Sequence, residues 1–180
     1  PMNGVIGMLG LLIEMELAPE QLELATTAFR SAQALLTILN DILDFSKIEA
    51  GKLVIEEVPF DLRRAVHEVA EVIAPQTAER DVCMVIDYPL ELADQVVGDP
   101  GRVRQILTNL LGNAAKFTRR GHVCVEVRGG PLSPGDGVEC GERLEFRIAV
   151  GDSGVGIAPE ALERLFTKFT QAEASTTREF

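Results

Sequence analysis

The first third of the chain has the hydrophobic spacing of two long helices. Apolar residues recur at steps of three and four from Leu22 to Leu43, a heptad seam of about three repeats, and the same rhythm runs upstream from Val5 to Met15. Pro19, between the two stretches, suits the first turn of a helix, and Gly51 suits the left-handed position that follows a helix. The pattern therefore predicts an antiparallel helical hairpin.

Such a hairpin has apolar residues on two sides and cannot bury both by itself. A second copy of the chain, completing a four-helix bundle, is the most economical cover for the remaining seam. The alternative is that the seam packs against the rest of the same chain. The heptad regularity favours the homodimer.

Downstream of Gly51 the hydrophobic period changes repeatedly between that of strands and that of helices. A short alternating stretch contains Pro59, which predicts a strand that breaks there, and Asp61 stands where a helix N-cap is expected. The apolar stripe that follows predicts a helix over 61–80. The later predicted elements are a buried strand at 81–89, a helix at 98–118, strands at 121–129 and 142–152 around a Gly/Pro-rich loop, and a short helix around 159–169.

Helices interleaved with mixed strands are typical of an α+β two-layer sandwich. The chain of 180 residues suits one medium domain or two small ones, and 46% hydrophobic residues are enough for a core. We expect the hairpin to occupy residues 1–55 and the sandwich residues 56–180, with the boundary inside 52–60.

Charge and composition exclude several functions. The net charge of −11 argues against nucleic-acid binding, because neutralising phosphates requires a basic surface. No apolar run reaches ~18 residues, so no membrane contact is predicted for this segment. Cys83, Cys124 and Cys140 lack CxxC spacing, which is typical of reduced cytosolic thiols. We expect a cytoplasmic segment and leave open whether the parent protein is anchored in a membrane.

Two asparagines interrupt the apolar pattern of the helix predicted at 98–118. Asn109 and Asn113 lie four residues apart in the stretch NLLGNAAKF and share one helix face, with Lys116 at its edge. Asparagine is a poor helix former, and burying its amide without a partner costs free energy. We therefore expect a polar group against this face, the alternative being amides on a solvated surface.

A glycine-rich stretch follows the last predicted strand. VGDSGVGIAPE places Asp152, Gly154 and Gly156 before a short helix that Pro159 can open. Glycines at this spacing let a backbone approach a ligand closely or adopt positive φ. The stretch matches neither the dinucleotide fingerprint nor the Walker A loop, so a nucleotide here must be held in another way. The alternative is a plain strand-to-helix turn.

Together the two stretches supply groups that a nucleotide needs. The asparagine amides offer oxygen ligands to Mg²⁺, which usually also keeps waters and phosphate oxygens, and Lys116 offers a cation to phosphate. The carboxylate of Asp152 can accept a hydrogen bond from the exocyclic amino group of adenine. A solvated last-turn lysine and a simple turn aspartate are the alternatives.

At this point the sequence resembles the sensor histidine kinases, and hybrid kinases in particular. DPGRVRQILTNLLGNAAKFT resembles their N-box, GDSGVGIAPE their first glycine box, and LFTKFTQ, with Phe166 and Phe169, their F-box. PMNGVIGM resembles the residues that follow the phospho-accepting histidine, and ILNDILDFSKIEAGKL the end of the second dimerisation helix. These motifs keep the family's order over nearly the whole chain.

The resemblance implies a role for each candidate residue. Asn113 matches the Mg²⁺-ligating asparagine, and Asn109 the position one turn earlier that lines the nucleotide site. Lys116 matches a basic residue near the phosphates, and Asp152 the aspartate that reads adenine. The matched glycines, which let the chain pass the base, are Gly154 and Gly156.

The fold implied is a dimerisation hairpin followed by a Bergerat-type ATP-binding sandwich, with ATP and Mg²⁺ as cofactors and the tail 170–180 in a lid. The γ-phosphate would move to a histidine and then to an aspartate on a response-regulator receiver domain. The acceptor histidine would precede Pro1 and the second glycine box would follow Phe180, so no catalytic residue is assigned within the chain. We expect a piece of a longer protein that does not autophosphorylate and that, by itself, binds ATP weakly or not at all.

Two other functions stay open on sequence. An ATPase or chaperone of the same superfamily would carry a glutamate general base one turn before the Mg²⁺ asparagine. That position is Asn109, an amide that cannot accept a proton at neutral pH. A non-catalytic dimerising signalling module is the second possibility, against which the presence of Asn113 and Asp152 argues. His67 and His122 lack the Thr-Pro that follows an acceptor, and we expect ordinary surface or half-buried histidines.

Overall fold

The computed structural model describes residues 2–78, 80–131 and 144–162, and the chain divides into two compact units between Ile55 and Glu56. None of the helices in these ranges is both long enough and apolar enough to span a bilayer. In chain order the elements are α1 (Met2–Ile13), α2 (Pro19–Glu49), β1 (Val58–Asp61), α3 (Leu62–Ala78), β2 (Val82–Asp87), β3 (Gln95–Gly98), α4 (Pro100–Phe117), β4 (Gly121–Pro131), β5 (Leu144–Asp152) and α5 (Pro159–Leu162).

The first unit is the predicted pair of helices, α1 and α2. α2 begins at Pro19, whose missing N–H is not needed in the first helical turn. It ends at Glu49, and Gly51, two residues beyond, has a φ of 62°. There the N–H of Gly51 donates to the carbonyl of Ile48 at 3.0 Å and that of Lys52 to the carbonyl of Lys47 at 2.9 Å. This pair of bonds is a Schellman motif, so both predicted helix boundaries are confirmed.

Replacing Gly51 by Ala should lower the free energy of unfolding of the first unit by about 1–2 kcal/mol, since a Cβ is disfavoured at positive φ. No other atom would lie within 4 Å of that Cβ, so the cost comes from the backbone alone. Gly7→Ala in α1 is the matched control and should stabilise slightly, because it too meets no atom and lies inside a helix. Denaturant unfolding of both variants measures the difference; equal stabilisation by both would contradict this account.

The heptad seam of the first unit is buried only in part. α1 packs against α2, whose buried residues are Ala25 and Ala32. Further along the same seam, Leu39 and Leu43 are 41% and 57% exposed. α1 therefore leaves a substantial apolar surface on α2 uncovered.

The described strands of the second unit form two sheets. β1 pairs antiparallel with β3, and β4 lies between β2, to which it is parallel, and β5, to which it is antiparallel. The valines of β4 that share one face, Val123, Val125 and Val127, are fully buried. α3 and α4 cover that face, and their buried residues include Leu62, Val66, Val69, Ala70, Ile73, Leu107, Leu111, Ala114 and Ala115. The predicted α+β two-layer class is confirmed.

The prediction of a strand broken by Pro59 was wrong. β1 begins only at Val58, and Pro59 lies inside it, opposite Val97 of β3. Both strands of this two-stranded sheet are edges, where the N–H that proline lacks is not required. β3 was missed, because a strand of four residues holds too little alternation to be recognised.

Several smaller predictions are confirmed. Asp61 accepts a hydrogen bond from the N–H of Arg64 at 2.7 Å, as an N-cap of α3 does. His67 and His122 are exposed. Cys83 and Cys124 lie in β2 and β4 without a disulfide partner in the described residues, and their reduced cytosolic state stays a prediction. The predictions for Cys140, for Phe166 and Phe169, for the Gly/Pro-rich loop and for the tail fall outside the described residues.

Candidate functional site

The first turn of α4 sets the position of a helix that carries three candidate residues. Asp99 is its N-cap, and Oδ1 accepts a hydrogen bond from the N–H of Arg102 at 2.9 Å. Pro100 follows at the first helical position. Donation from the N–H of Arg102, and then from that of Glu56, lowers the pKa of the Asp99 carboxyl.

Glu68 of α3 forms ion pairs that link α3 to α4. It accepts from the guanidinium of Arg64 at 2.7 Å and from that of Arg104, on α4, at 3.0 Å. Hydrogen bonding from Arg64, followed by that from Arg104, lowers the pKa of the Glu68 carboxyl. The two helices are thus joined at their surface as well as through the core.

The candidate residues of α4 lie away from the core. Leu107 and Leu111 are buried, whereas Asn109, Asn113 and Lys116 are exposed. At a rise of 1.5 Å per residue, Asn109 and Lys116 stand about 10 Å apart along the helix axis. The amides are open to solvent, so no burial cost has to be offset and the face is accessible to a ligand.

Asp152 ends β5, opposite Val123 of β4, and begins the glycine turn. Its Oδ1 accepts a hydrogen bond from the N–H of Gly154 at 2.9 Å, which closes an Asx turn. Ser153 fixes the same turn to β4, because its Oγ accepts from the N–H of His122 at 2.9 Å and its own N–H donates to the His122 carbonyl at 3.1 Å. The exposed carboxylate is therefore held in one orientation.

Gly154 brings the turn into contact with the end of α4. A Cβ at this position would lie 2.5 Å from the carbonyl oxygen of Phe117 and 2.8 Å from Oδ1 of Asp152. Only a glycine allows the two backbones to approach so closely. Lys116 directly precedes Phe117, so its backbone lies next to this contact, and Asn113 and Asn109 lie one and two turns earlier along α4. Gly156, with a φ of 70°, turns the chain away toward α5.

Lysine and arginine side chains lie at the C-terminal end of α4. Lys116 lies in the last turn, with its Nζ 5.3 Å from the centre of the Phe117 ring. Arg80 donates to the carbonyl of Ala115 at 3.4 Å, and Arg120 pairs with Asp81 at 3.2 Å across an exposed surface. Positive charge complements the negative end of the helix dipole and would also attract phosphate.

The donor set fits a metal that is held mainly by a nucleotide. Within the described ranges no three His, Cys, Asp or Glu side chains are grouped to hold a metal ion. Asn113 offers one amide oxygen, and Mg²⁺ commonly takes one or two protein ligands and completes its shell with water and phosphate oxygens. A shallow cleft lined by Pro89, Leu92 and Gly129, among others, contains none of the candidate residues. The cleft and Asp152 lie at different places along the β4–β5 pair. Gly129, which lines the cleft, pairs with Phe146, whereas Asp152 pairs with Val123, six residues earlier in β4.

Sequence reasoning missed three polar groups around this site. Ser153 anchors the turn, which no motif distinguished from an ordinary serine. Thr118 follows α4, and its buried Oγ1 has no hydrogen-bond partner in the described part of the chain. Asp99 was recognised only as part of a motif, although an Asp directly before a Pro at the start of a helical pattern signals an N-cap.

Comparisons with known proteins agree with this architecture. Residues 1–51 match the family described as the His Kinase A (phospho-acceptor) domain, and residues 98–180 match the family described as histidine kinase-, DNA gyrase B- and HSP90-like ATPase. The signal transduction histidine-protein kinase BarA of Escherichia coli strain K12 is 40% identical over 178 residues, which cover 99% of this chain and 19% of BarA.

Solved structures of histidine kinases are similar as well. ShkA full-length in complex with AMPPNP matches with a TM-score of 0.70 and 32% identity, over 95% of this chain and 34% of that chain. Histidine kinase ThkA in complex with response regulator protein TrrA matches with a TM-score of 0.58 over 94% of this chain and 48% of that chain. At 20% identity, the second match shows the fold alone.

The fold and the two matched families thus define a His Kinase A helical hairpin followed by a domain of the histidine kinase, gyrase B and HSP90 ATPase class. More particularly, the chain belongs to the sensor histidine kinases. It spans 19% of the length of the curated relative BarA.

Proposed function

We propose that this chain is the dimerisation and ATP-binding core of a two-component sensor histidine kinase. The parent protein would bind Mg-ATP in the second unit and phosphorylate a histidine, and the phosphoryl group would pass on to a receiver-domain aspartate. The observation that supports this best is the order of the two domain families along one chain, hairpin first and ATPase-type domain second.

The contact between the glycine turn and α4 supports different nucleotide-binding roles for the candidate residues. The Asx turn engages Oδ1 of Asp152 and leaves Oδ2 for the exocyclic amino group of adenine. Lys116, at the adjoining end of α4, would neutralise phosphate charge. Gly154 and Gly156 would let the backbone run close to the base.

Asn113 would bind Mg²⁺, with Asn109 lining the same face one turn earlier. When bound, Mg²⁺ would neutralise charge on the phosphate oxygens. In the transfer, the bond from the γ-phosphorus to the bridging oxygen breaks, a phosphorus–nitrogen bond to the histidine forms, and ADP leaves. The chain's own residues would contribute mainly by positioning the nucleotide.

The identity of residue 109 favours a kinase over an ATPase. Hydrolysis of the gyrase or chaperone type needs a general base near Asn113 to activate water. Asn109 is an exposed amide and cannot take a proton at neutral pH. Phosphoryl transfer to a protein nucleophile does not require a base at this position.

The exposed part of the α2 seam supports a homodimer. The apolar side chains that α1 leaves exposed on α2 would be covered by a second copy in a four-helix bundle; they are Leu35, Ile38, Leu39, Ile42 and Leu43. A response-regulator receiver domain is the further partner proposed, in keeping with the complex formed by ThkA. We also propose a cytoplasmic location for this segment, where ATP and the free thiols of Cys83 and Cys124 belong.

Incubating the full-length protein with γ-labelled ATP and Mg²⁺ tests the proposal. We expect label on the protein that is lost in acid and retained in alkali, as the phosphorus–nitrogen bond of phosphohistidine requires. Transfer of that label to an isolated receiver domain would follow. Steady release of inorganic phosphate without any protein-bound label would instead identify an ATPase.

A further inference from the structure

Asp99 makes one hydrogen bond more than an N-cap needs. Its Oδ1 caps α4 through the N–H of Arg102, and its Oδ2 accepts from the N–H of Glu56 at 3.2 Å. These two donors are far apart in sequence, since Glu56 precedes Asp99 by 43 residues. The half-buried carboxylate therefore ties a distant backbone segment to the first turn of α4.

The segment tied in this way is the start of the second unit. Glu56 is the first residue after the division between the two units. Two residues later β1 begins, and its Val58 pairs with Gly98, the residue immediately before Asp99. The chain that arrives from the helical hairpin is thus attached to the N-terminus of α4 twice in succession, through the β1–β3 ladder and through the Asp99 carboxylate.

We propose that Asp99 is a positioning residue that couples α4 to the linker, meaning the chain at the division between Ile55 and Glu56. A displacement of this linker is then passed to α4, the helix that carries the three candidate residues Asn109, Asn113 and Lys116. This inference rests on the proposed function, because it assigns the coupling a role in phosphoryl transfer. A helix 18 residues long moves as a rod, and a shift of about 1 Å at reacting groups can cost ~100-fold in rate.

The plain alternative is that Asp99 serves only as a helix cap. A cap requires only the bond to Arg102, and serine performs that task as well as aspartate. The bond to Glu56 adds nothing to the cap, so the two roles can be separated by substitution. Glu56→Pro removes the donor N–H and leaves Asp99 intact, whereas Glu56→Ala keeps the N–H and serves as the matched control.

Asp99→Ser is the second variant. Its single hydroxyl can accept from Arg102 and is too short to accept from Glu56 as well. It preserves the cap and loses the coupling, and it does not depend on whether proline is tolerated at position 56. Both variants are placed in the full-length kinase, and three quantities are measured: the Kd for Mg-AMPPNP, the rate of phosphohistidine formation at saturating ATP, and the thermal midpoint.

We expect Glu56→Pro and Asp99→Ser to slow phosphohistidine formation by roughly 10- to 100-fold with Kd changed less than about twofold, and Glu56→Ala to behave as wild type. Equal rates for Glu56→Pro and Glu56→Ala would overturn the coupling. A rate that falls only in step with nucleotide affinity and thermal midpoint would also overturn it, leaving a cap alone. Failure of the wild type to form phosphohistidine would reject the proposed function itself, which is a different result.

Discussion

Replacing Asn113 by Ala is expected to abolish phosphohistidine formation by the full-length kinase while its dimerisation survives. The side chain is exposed on α4 and contributes nothing to the core, so its loss should not unfold the domain. Alanine is also the better helix former by several tenths of a kcal/mol. If the amide oxygen binds the Mg²⁺ of Mg-ATP, the rate should fall by about 100-fold or more, the scale on which single electrostatic groups act in catalysis.

Thr108→Ala is the matched control for Asn113→Ala, because Thr108 is also a polar, exposed residue of α4. It should leave the rate within about twofold of wild type, as surface substitutions usually do. Incorporation of γ-labelled phosphate and size-exclusion chromatography measure activity and dimerisation in parallel. Retained activity in Asn113→Ala, or an equal loss in Thr108→Ala, would remove the metal role from Asn113.

Gly154→Ala is expected to disrupt the candidate site through its backbone. The new Cβ would fall 2.5 Å from the carbonyl oxygen of Phe117 and 2.9 Å from the carbonyl carbon, and neither atom can rotate away as a flexible side chain would. Either the turn or the end of α4 must move, and overpacking of this kind typically costs about 1–3 kcal/mol. Because the same turn holds Asp152, we expect nucleotide affinity to fall by at least about tenfold.

The matched control for Gly154→Ala is Gly151→Ala, three residues earlier in β5. A Cβ there would meet no atom within 4 Å, and Gly151 does not have positive φ. Gly151→Ala should therefore keep both the unfolding midpoint and the Kd for Mg-AMPPNP close to wild type. A Gly154→Ala protein with wild-type stability and affinity would mean that the contact with Phe117 is not required for the site.

Elements with strong local signals were predictable from the sequence. Pro19 and Gly51 mark the ends of α2, because each residue has a backbone preference that operates without help from the rest of the fold. The role of Asp61 as the N-cap of α3 was predictable in the same way. Pro59 was misread, because its effect depends on whether the strand has a neighbour on the side of the missing N–H, which is a property of the sheet.

The candidate site was predictable as a set of residues and not as a geometry. The spacing of Asn109, Asn113 and Lys116 puts them on one helix face wherever that helix lies. Nothing local indicates that these amides face solvent instead of a buried partner. That outcome follows from the packing of the opposite face of α4 on β4. The roles assigned to the six candidate residues stay predictions until the variants are measured.

The sequence by itself determined the helices, the longer strands and the polar face of α4, because periodicity and helix ends are set by neighbours within a few positions. The tertiary structure alone decided that Gly154 meets the carbonyl of Phe117 and that the Asp99 carboxylate receives the N–H of Glu56. Both contacts join segments more than thirty residues apart. Close approach of distant backbones depends on how whole elements pack, and no local pattern encodes that distance.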